Sequence, residues 1–135
     1  MGEYGLISRL LAPKFGGFLT FGSLETGKES APGQLTVSEL QNIYGLRRAG
    51  RDTEIFGIIG RFVGYSKSPI IHNKFFQKIG YDGIYVPFLA DDIVDFFNVY
   101  HVSMFSGFRL YNLSYHIKTT SICVKSMHVN TIYHI

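Results

Sequence analysis

The stretch that most constrains the fold runs Phe56-Gly57-Ile58-Ile59-Gly60-Arg61-Phe62-Val63-Gly64-Tyr65-Ser66-Lys67-Ser68-Pro69-Ile70-Ile71-His72-Asn73-Lys74-Phe75-Phe76. It reads as strand, glycine loop, helix. Phe56 to Ile59 is a short apolar run punctuated by glycine, which suits a buried strand. Gly60 and Gly64 allow a sharp turn and a close approach of backbone to a ligand. Ser68 is expected to cap the helix, with Pro69 at its first position, where a missing N–H costs nothing. Ile71, Phe75 and Ile79 recur at helical spacing and predict the buried face, and Gly80 can end the helix. The hydroxyls of Ser66 and Ser68 then stand at a strand-to-helix loop beside a positive helix end. An open α/β sheet binds anionic or hydroxylated small molecules at such a place.

Two nucleotide-binding patterns do not fit. A P-loop needs glycines where Arg61 and Ser66 stand before Lys67-Ser68. The dinucleotide fingerprint G-x-G-x-x-G does not match the spacing of Gly57, Gly60 and Gly64. On local pattern alone, an ordinary helix cap on an ordinary βα turn remains an equal reading.

The stretch resembles the N-terminal segment of shikimate dehydrogenases, whose pattern runs roughly G-I-I-G-x-P-V-x-H-S-x-S-P-x-x-H-N-x-x-F. The resemblance rests on Ser66-x-Ser68-Pro69, His72-Asn73 and Phe76. Phe62 stands where the family has proline, and Tyr65 where it commonly has histidine. The resemblance implies that Ser66 and Ser68 contact the carboxylate and hydroxyl face of shikimate.

Composition excludes several function classes. Formal charge is +3, and Arg47-Arg48 with Arg51 forms the tight basic cluster. No aromatic residues interleave with it, so a solvated linker is expected rather than a nucleic-acid surface. One cysteine, Cys123, builds neither a disulfide framework nor a zinc cluster. No apolar run is long enough to span a bilayer, so no membrane partner is expected. The N-terminus carries no signal or transit pattern.

The segment before the linker reads as helix, strand, loop, helix. Leu6, Ile7, Leu10 and Leu11 form one apolar helical face that ends near Pro13. After a Gly16-Gly17 turn, Phe18-Leu19-Thr20-Phe21 reads as a strand. Thr36 and Glu39 form a capping box ahead of Val37, Leu40, Ile43 and Tyr44. Two helices and one strand cannot close a core alone.

Three motifs here resemble the end of a type I 3-dehydroquinate dehydratase, a (β/α)8 barrel. They are Gly5-Leu6-Ile7-Ser8-Arg9-Leu10, Phe18-Leu19-Thr20-Phe21-Gly22 and Ser30-Ala31-Pro32-Gly33-Gln34. The resemblance implies that Arg9 binds the substrate carboxylate, as a planar guanidinium can. It implies that Ser30 and Gln34 contact substrate hydroxyls. The family's Schiff-base lysine and its helper histidine belong upstream of Met1, and Lys14 is not that lysine.

Gly45, Gly50, the basic cluster and Asp52-Thr53 mark residues 45–55 as a linker. Both resemblances, in this order, are those of the plant-type bifunctional dehydratase–dehydrogenase family. The expected architecture is α/β. Residues 1–44 form a separate C-terminal arc of the dehydratase barrel, and 56–108 a truncated shikimate dehydrogenase substrate-binding domain. Gly83 to Phe88 reads as its second strand, with Pro87 marking an edge or a strand end. Asp91 or Asp92 caps a helix carrying Ile93, Val94, Phe96, Phe97 and Tyr100. Phe105-Ser106-Gly107-Phe108 leads into a third strand.

From residue 109 to 135 the resemblance is expected to stop, leaving a divergent tail. The family's V-T-x-P-x-K stretch, whose lysine is its acid–base group, is absent, and Tyr115 takes that lysine's place. Lys118 lies three residues on and would face the other way on a strand. His116, His128 and His134 fit no standard zinc spacing, while Ile122, Val124, Met127, Val129 and Ile132 alternate as in a strand. No glycine follows to build a dinucleotide loop, so NADP, implied for the whole family, has no site in this chain. The expected partner is a small molecule: shikimate, 3-dehydroshikimate or 3-dehydroquinate. The family implies a plastid location. Three readings remain open: a catalytically incomplete enzyme piece, a non-catalytic shikimate-binding or interaction module, and a gene-model artefact without a stable fold.

Overall fold

A computed structural model describes residues 5–112. Its elements, in order, are α1 (Leu6–Leu11), α2 (Val37–Asn42), β1 (Glu54–Gly60), α3 (Ser68–Ile79), β2 (Gly83–Leu89), α4 (Ile93–Val99) and β3 (Gly107–Tyr111). Short 3-10 turns at Val63–Tyr65 and Val102–Met104 join them. The strands form one parallel sheet in the order β2-β1-β3, so the central strand is the glycine-rich run on which the sequence turns. The β-α-β-α-β unit read from the sequence is present.

Strand alternation sorts the sheet into two faces. Ile55 and Ile59 of β1 share one face with Ile84, Val86 and Phe88 of β2. The rings of Phe96 and Phe105 meet Phe88 edge-on, at 5.5 and 5.1 Å between centroids. Gly57 makes that packing possible, because a Cβ there would stand 2.6 Å from the Phe88 ring. The opposite face carries Phe56, Ile58 and Tyr85 and is covered by α3. Gly60 does allow a close approach, but the group that fills it is the Tyr111 carbonyl of β3.

Several expectations need correction. The barrel-type segment does not stand apart. Ile7, Leu10 and Leu11 of α1 and Leu40 of α2 belong to the same buried cluster as the sheet's first face. A short amphipathic helix has no stability of its own and must bury its apolar stripe against something, and the sheet supplies that surface. The expected linker is shorter at its end, since β1 begins at Glu54 and Ile55 is buried. Thr53 is also buried and donates from its hydroxyl to Asp82 at 2.7 Å. Phe18 to Phe21 is not a strand: a strand needs a ladder partner, and none of the described strands runs beside it. Its Phe18 side chain is 99% exposed.

The helix after the serines also differs. Lys67 is its N-cap, and Ser68 and Pro69 are its first two residues. Ile71, Phe75 and Ile79 do not form its buried face; they are 64%, 55% and 55% exposed. The helix is turned so that Pro69 and Asn73 face the sheet. Asn73 donates to the Tyr85 carbonyl and accepts from the Tyr85 N–H, both at 2.8 Å. These two bonds satisfy the backbone N–H and carbonyl of Tyr85 on the free edge of β2, and they outrank the apolar stripe in setting the helix rotation. Phe76 follows Asn73 inward and meets Phe56 at 5.2 Å. The Pro87 expectation holds, since β2 is an edge strand. The tail expectations at residues 113–135, Tyr115 and Lys118 included, lie outside the described residues.

Candidate substrate-contact sites

Ser66 and Ser68 stand where β1 hands over to α3, at the carboxyl end of the central strand. Ser66 has extended backbone and donates its N–H to the Val63 carbonyl at 3.0 Å. Its Oγ accepts from the Ser68 N–H at 3.2 Å. Ser66 rather than Ser68 therefore satisfies an orphan donor of the first helical turn. The Ser66 hydroxyl keeps its own hydrogen to donate outward, and the Ser68 hydroxyl makes no hydrogen bond to another described residue. Both groups are half-buried. The pair presents donors and acceptors beside a helix N-terminus, which suits a carboxylate or hydroxyl ligand.

Behind them, His72 stacks on Tyr85 with centroids 4.4 Å apart and planes 15° from parallel. Burial holds His72 below the ordinary histidine range, and the nearby Arg109 guanidinium adds to the effect. Burial pushes the Tyr85 phenol up, opposed by the same arginine.

The dehydratase-type residues form a second group. Arg9 donates from Nη1 to the Gly33 carbonyl at 2.9 Å. Ser30 donates to Gln34 Oε1 from its hydroxyl at 3.0 Å and from its backbone N–H at 2.8 Å. Gly33 takes the left-handed region at φ 71°, which lets the loop fold back onto α1. Arg9 of α1 thus reaches the loop at Gly33, beside Gln34, while the polar atoms of Ser30 and Gln34 are spent partly on each other. Among the described residues no side-chain hydrogen bond joins this group to the serine pair.

The sequence reading did not pair Arg61 with Asp91, whose Nε and Oδ1 lie 3.3 Å apart. Arg61 directly follows the end of β1, Asp91 stands two residues past the end of β2, and Gly60 is the register partner of Leu89 in the β1–β2 ladder. That pairing is the signal that could have placed them together. Near them opens a cleft of about 560 Å³, lined by Gln34, Arg61, Phe62, Tyr65 and Pro87 among others. A smaller one of about 270 Å³ lies beside Phe18, Leu40 and Arg47. Ser66 and Ser68 line neither. Among the described residues there is no group of three or more His, Cys, Asp or Glu that could hold a metal, and no helix long and apolar enough to cross a membrane.

The family model described as "Type I 3-dehydroquinase" matches residues 1–51. That described as "Shikimate dehydrogenase substrate binding domain" matches residues 58–120. The chain belongs to the bifunctional 3-dehydroquinate dehydratase/shikimate dehydrogenase family, across the junction of its two parts. The chloroplastic bifunctional enzyme of Arabidopsis thaliana is 52% identical over 108 residues, 80% of this chain and 18% of that protein. The chain therefore spans less than a fifth of that relative. "Shikimate dehydrogenase (NADP(+))" of Pyrococcus furiosus is 57% identical over 37 residues, 27% of this chain and 14% of that one. A solved structure of dehydroquinate dehydratase and shikimate dehydrogenase from S. pombe AroM matches 82% of this chain and 20% of that chain, at 29% identity and a TM-score of 0.40. The dehydrogenase match runs to residue 120, so the resemblance continues past Phe108, where the tail was expected to diverge. β3 likewise continues to Tyr111.

Proposed function

We propose that this chain binds shikimate or 3-dehydroshikimate weakly through Ser66 and Ser68, and turns over neither pathway substrate. The observation that carries the reading is the Ser66-x-Ser68-Pro69 loop at the carboxyl end of the central strand, in a chain of the dehydrogenase family. Both hydroxyls can still donate toward a ligand. Arg9, Ser30 and Gln34 supply a second, looser set of contacts for 3-dehydroquinate, with Arg9 already bonded to Gly33.

In our reading, neither family lysine stands in its expected place within residues 1–135. A Schiff-base dehydratase needs a desolvated lysine over the carbonyl carbon. Lys14 follows the arginine motif, so it is not in that position. In the dehydrogenase, Tyr115 stands in the place of the lysine. A phenol of pKa about 10 is a poor substitute for an ammonium against the substrate hydroxyl. NADP belongs to the whole family's reaction and, in our reading, is not bound by this chain. We place the chain in the plastid on the strength of its chloroplastic relative.

Titration of the full chain with shikimate, followed by amide chemical shifts, tests the reading. Saturable shifts centred on residues 64–70 are expected. A Ser66→Ala/Ser68→Ala variant should bind about tenfold more weakly or worse, as the loss of two modest hydrogen bonds implies. NADPH formation from shikimate and NADP, or a borohydride-trapped adduct with 3-dehydroquinate, would contradict the absence of turnover.

A further inference from the structure

The larger cleft is lined by Gln34 of the dehydratase-type contacts but by neither Ser66 nor Ser68. Its floor is the carboxyl end of β1 and β2, through Val63, Pro87 and Leu89. Its far wall is the loop of the dehydratase-type segment, through Gly33, Gln34 and Leu35, with Leu6 of α1 behind. Parallel sheets place ligands outside the carboxyl ends of their strands, and at about 560 Å³ the space falls in the range of small-molecule sites. Neither segment makes this cleft alone.

The chemistry of the lining narrows the ligand. Leu6, Leu35, Val63, Pro87 and Leu89 supply an apolar body. Phe62 and Tyr65 stand at the mouth, 61% and 93% exposed, as two rings able to lie against a flat ligand. The polar groups are mainly donors. Gln34 has its Oε1 occupied by the Ser30 hydroxyl and N–H, so its amide offers the cleft N–H groups alone. Arg61 engages Asp91 through Nε, and its terminal nitrogens make no hydrogen bond or ion pair with another described residue. A guanidinium with a free edge beside an amide donor fits a carboxylate.

We propose that this cleft binds an aromatic monocarboxylate, with its ring between Phe62 and the Leu35–Leu89 wall and its carboxylate on Arg61 and the Gln34 amide. The site is independent of Ser66 and Ser68. It also gives a reason for the two segments to be held against each other at this edge of the sheet.

The probe is 2-naphthoate, titrated into the full chain and followed by amide chemical shifts, with neutral 2-naphthamide as the control. Saturable shifts are expected at Leu35, Phe62, Val63 and Leu89, with the naphthamide at least tenfold weaker. Arg61→Met should weaken naphthoate at least tenfold. Asp91→Asn, which removes the competing carboxylate, should tighten it two- to threefold. This second variant acts in the opposite direction, so a general loss of fold cannot imitate the result. The Ser66→Ala/Ser68→Ala variant should keep its naphthoate affinity while losing shikimate, which separates this site from the proposed substrate contacts. Naphthamide binding as tightly as naphthoate, shifts centred elsewhere, no saturation at millimolar probe, or an Asp91→Asn variant that binds no better would each overturn the proposal.

Discussion

Asn73 shows how one polar side chain can govern a helix. It is buried, with two 2.8 Å bonds to the Tyr85 backbone on an edge strand. Replacing it by alanine leaves a buried N–H and a buried carbonyl unpaired and opens space under α3. The expected cost is about 2–4 kcal/mol, from two unsatisfied groups at ~1–3 kcal/mol each, less what water recovers. Urea denaturation of Asn73→Ala beside the parent measures this; a change under about 1 kcal/mol would mean the edge is satisfied otherwise. The sequence offered Asn73 as part of a motif, next to His72, but gave it no role. Its partner is a backbone group twelve positions away, and nothing in side-chain spacing encodes that. Ser66 and Ser68 were legible for the opposite reason: their positions follow from a local strand-to-helix handover.

At the scale of elements, most local signals were read well, the Ser68 cap excepted, and those needing a neighbour were not. The Thr36–Glu39 capping box forms as expected, with Thr36 Oγ1 accepting from the Glu39 N–H at 3.1 Å and Glu39 Oε2 accepting from the Thr36 N–H at 2.8 Å. The choice between Asp91 and Asp92 is resolved by geometry. Asp92 Oδ1 accepts from the N–H groups of Val94 and Asp95 at 2.7 and 3.1 Å, while Asp91 turns to Arg61. Asp92→Ala should therefore cost about 1 kcal/mol. Asp91→Ala, which breaks an exposed ion pair, should change stability by less than about 0.5 kcal/mol. Equal losses in a paired thermal melt would refute the assignment. Phe18 to Phe21 was misread because apolar spacing reports a tendency, and a strand also requires a partner. The α3 stripe was misread because Ile71, Phe75 and Ile79 have the right period on the wrong side, and a tertiary hydrogen bond chose the face.

At the scale of the molecule, two segments from different family parts share one core, and Tyr44 can report on that sharing. It follows α2, within the dehydratase-type segment, and packs against the cluster that holds Ile55, Val86 and Phe88. Burial lifts its phenol from the usual 10 to about 12, with the Glu39 carboxylate adding to the effect. Between those values the folded protein keeps a proton that the unfolded chain has released. The unfolded state binds fewer protons there, so stability falls as pH rises. The contribution is fully present below pH 10 and is lost as pH climbs through about 12. The whole rise corresponds to ~3 kcal/mol as an upper figure. Other tyrosines and the lysines also titrate in this window, so the comparison must be with Tyr44→Phe, which keeps the ring and removes the proton. Urea midpoints at pH 9, 10.5 and 11.5 should fall further in the parent than in the variant. If the core is shared, helix and sheet signals should move together in one transition. A first transition confined to the helices of residues 6–42, with the sheet signal unmoved, would show instead that the two segments are held together too weakly to unfold as one.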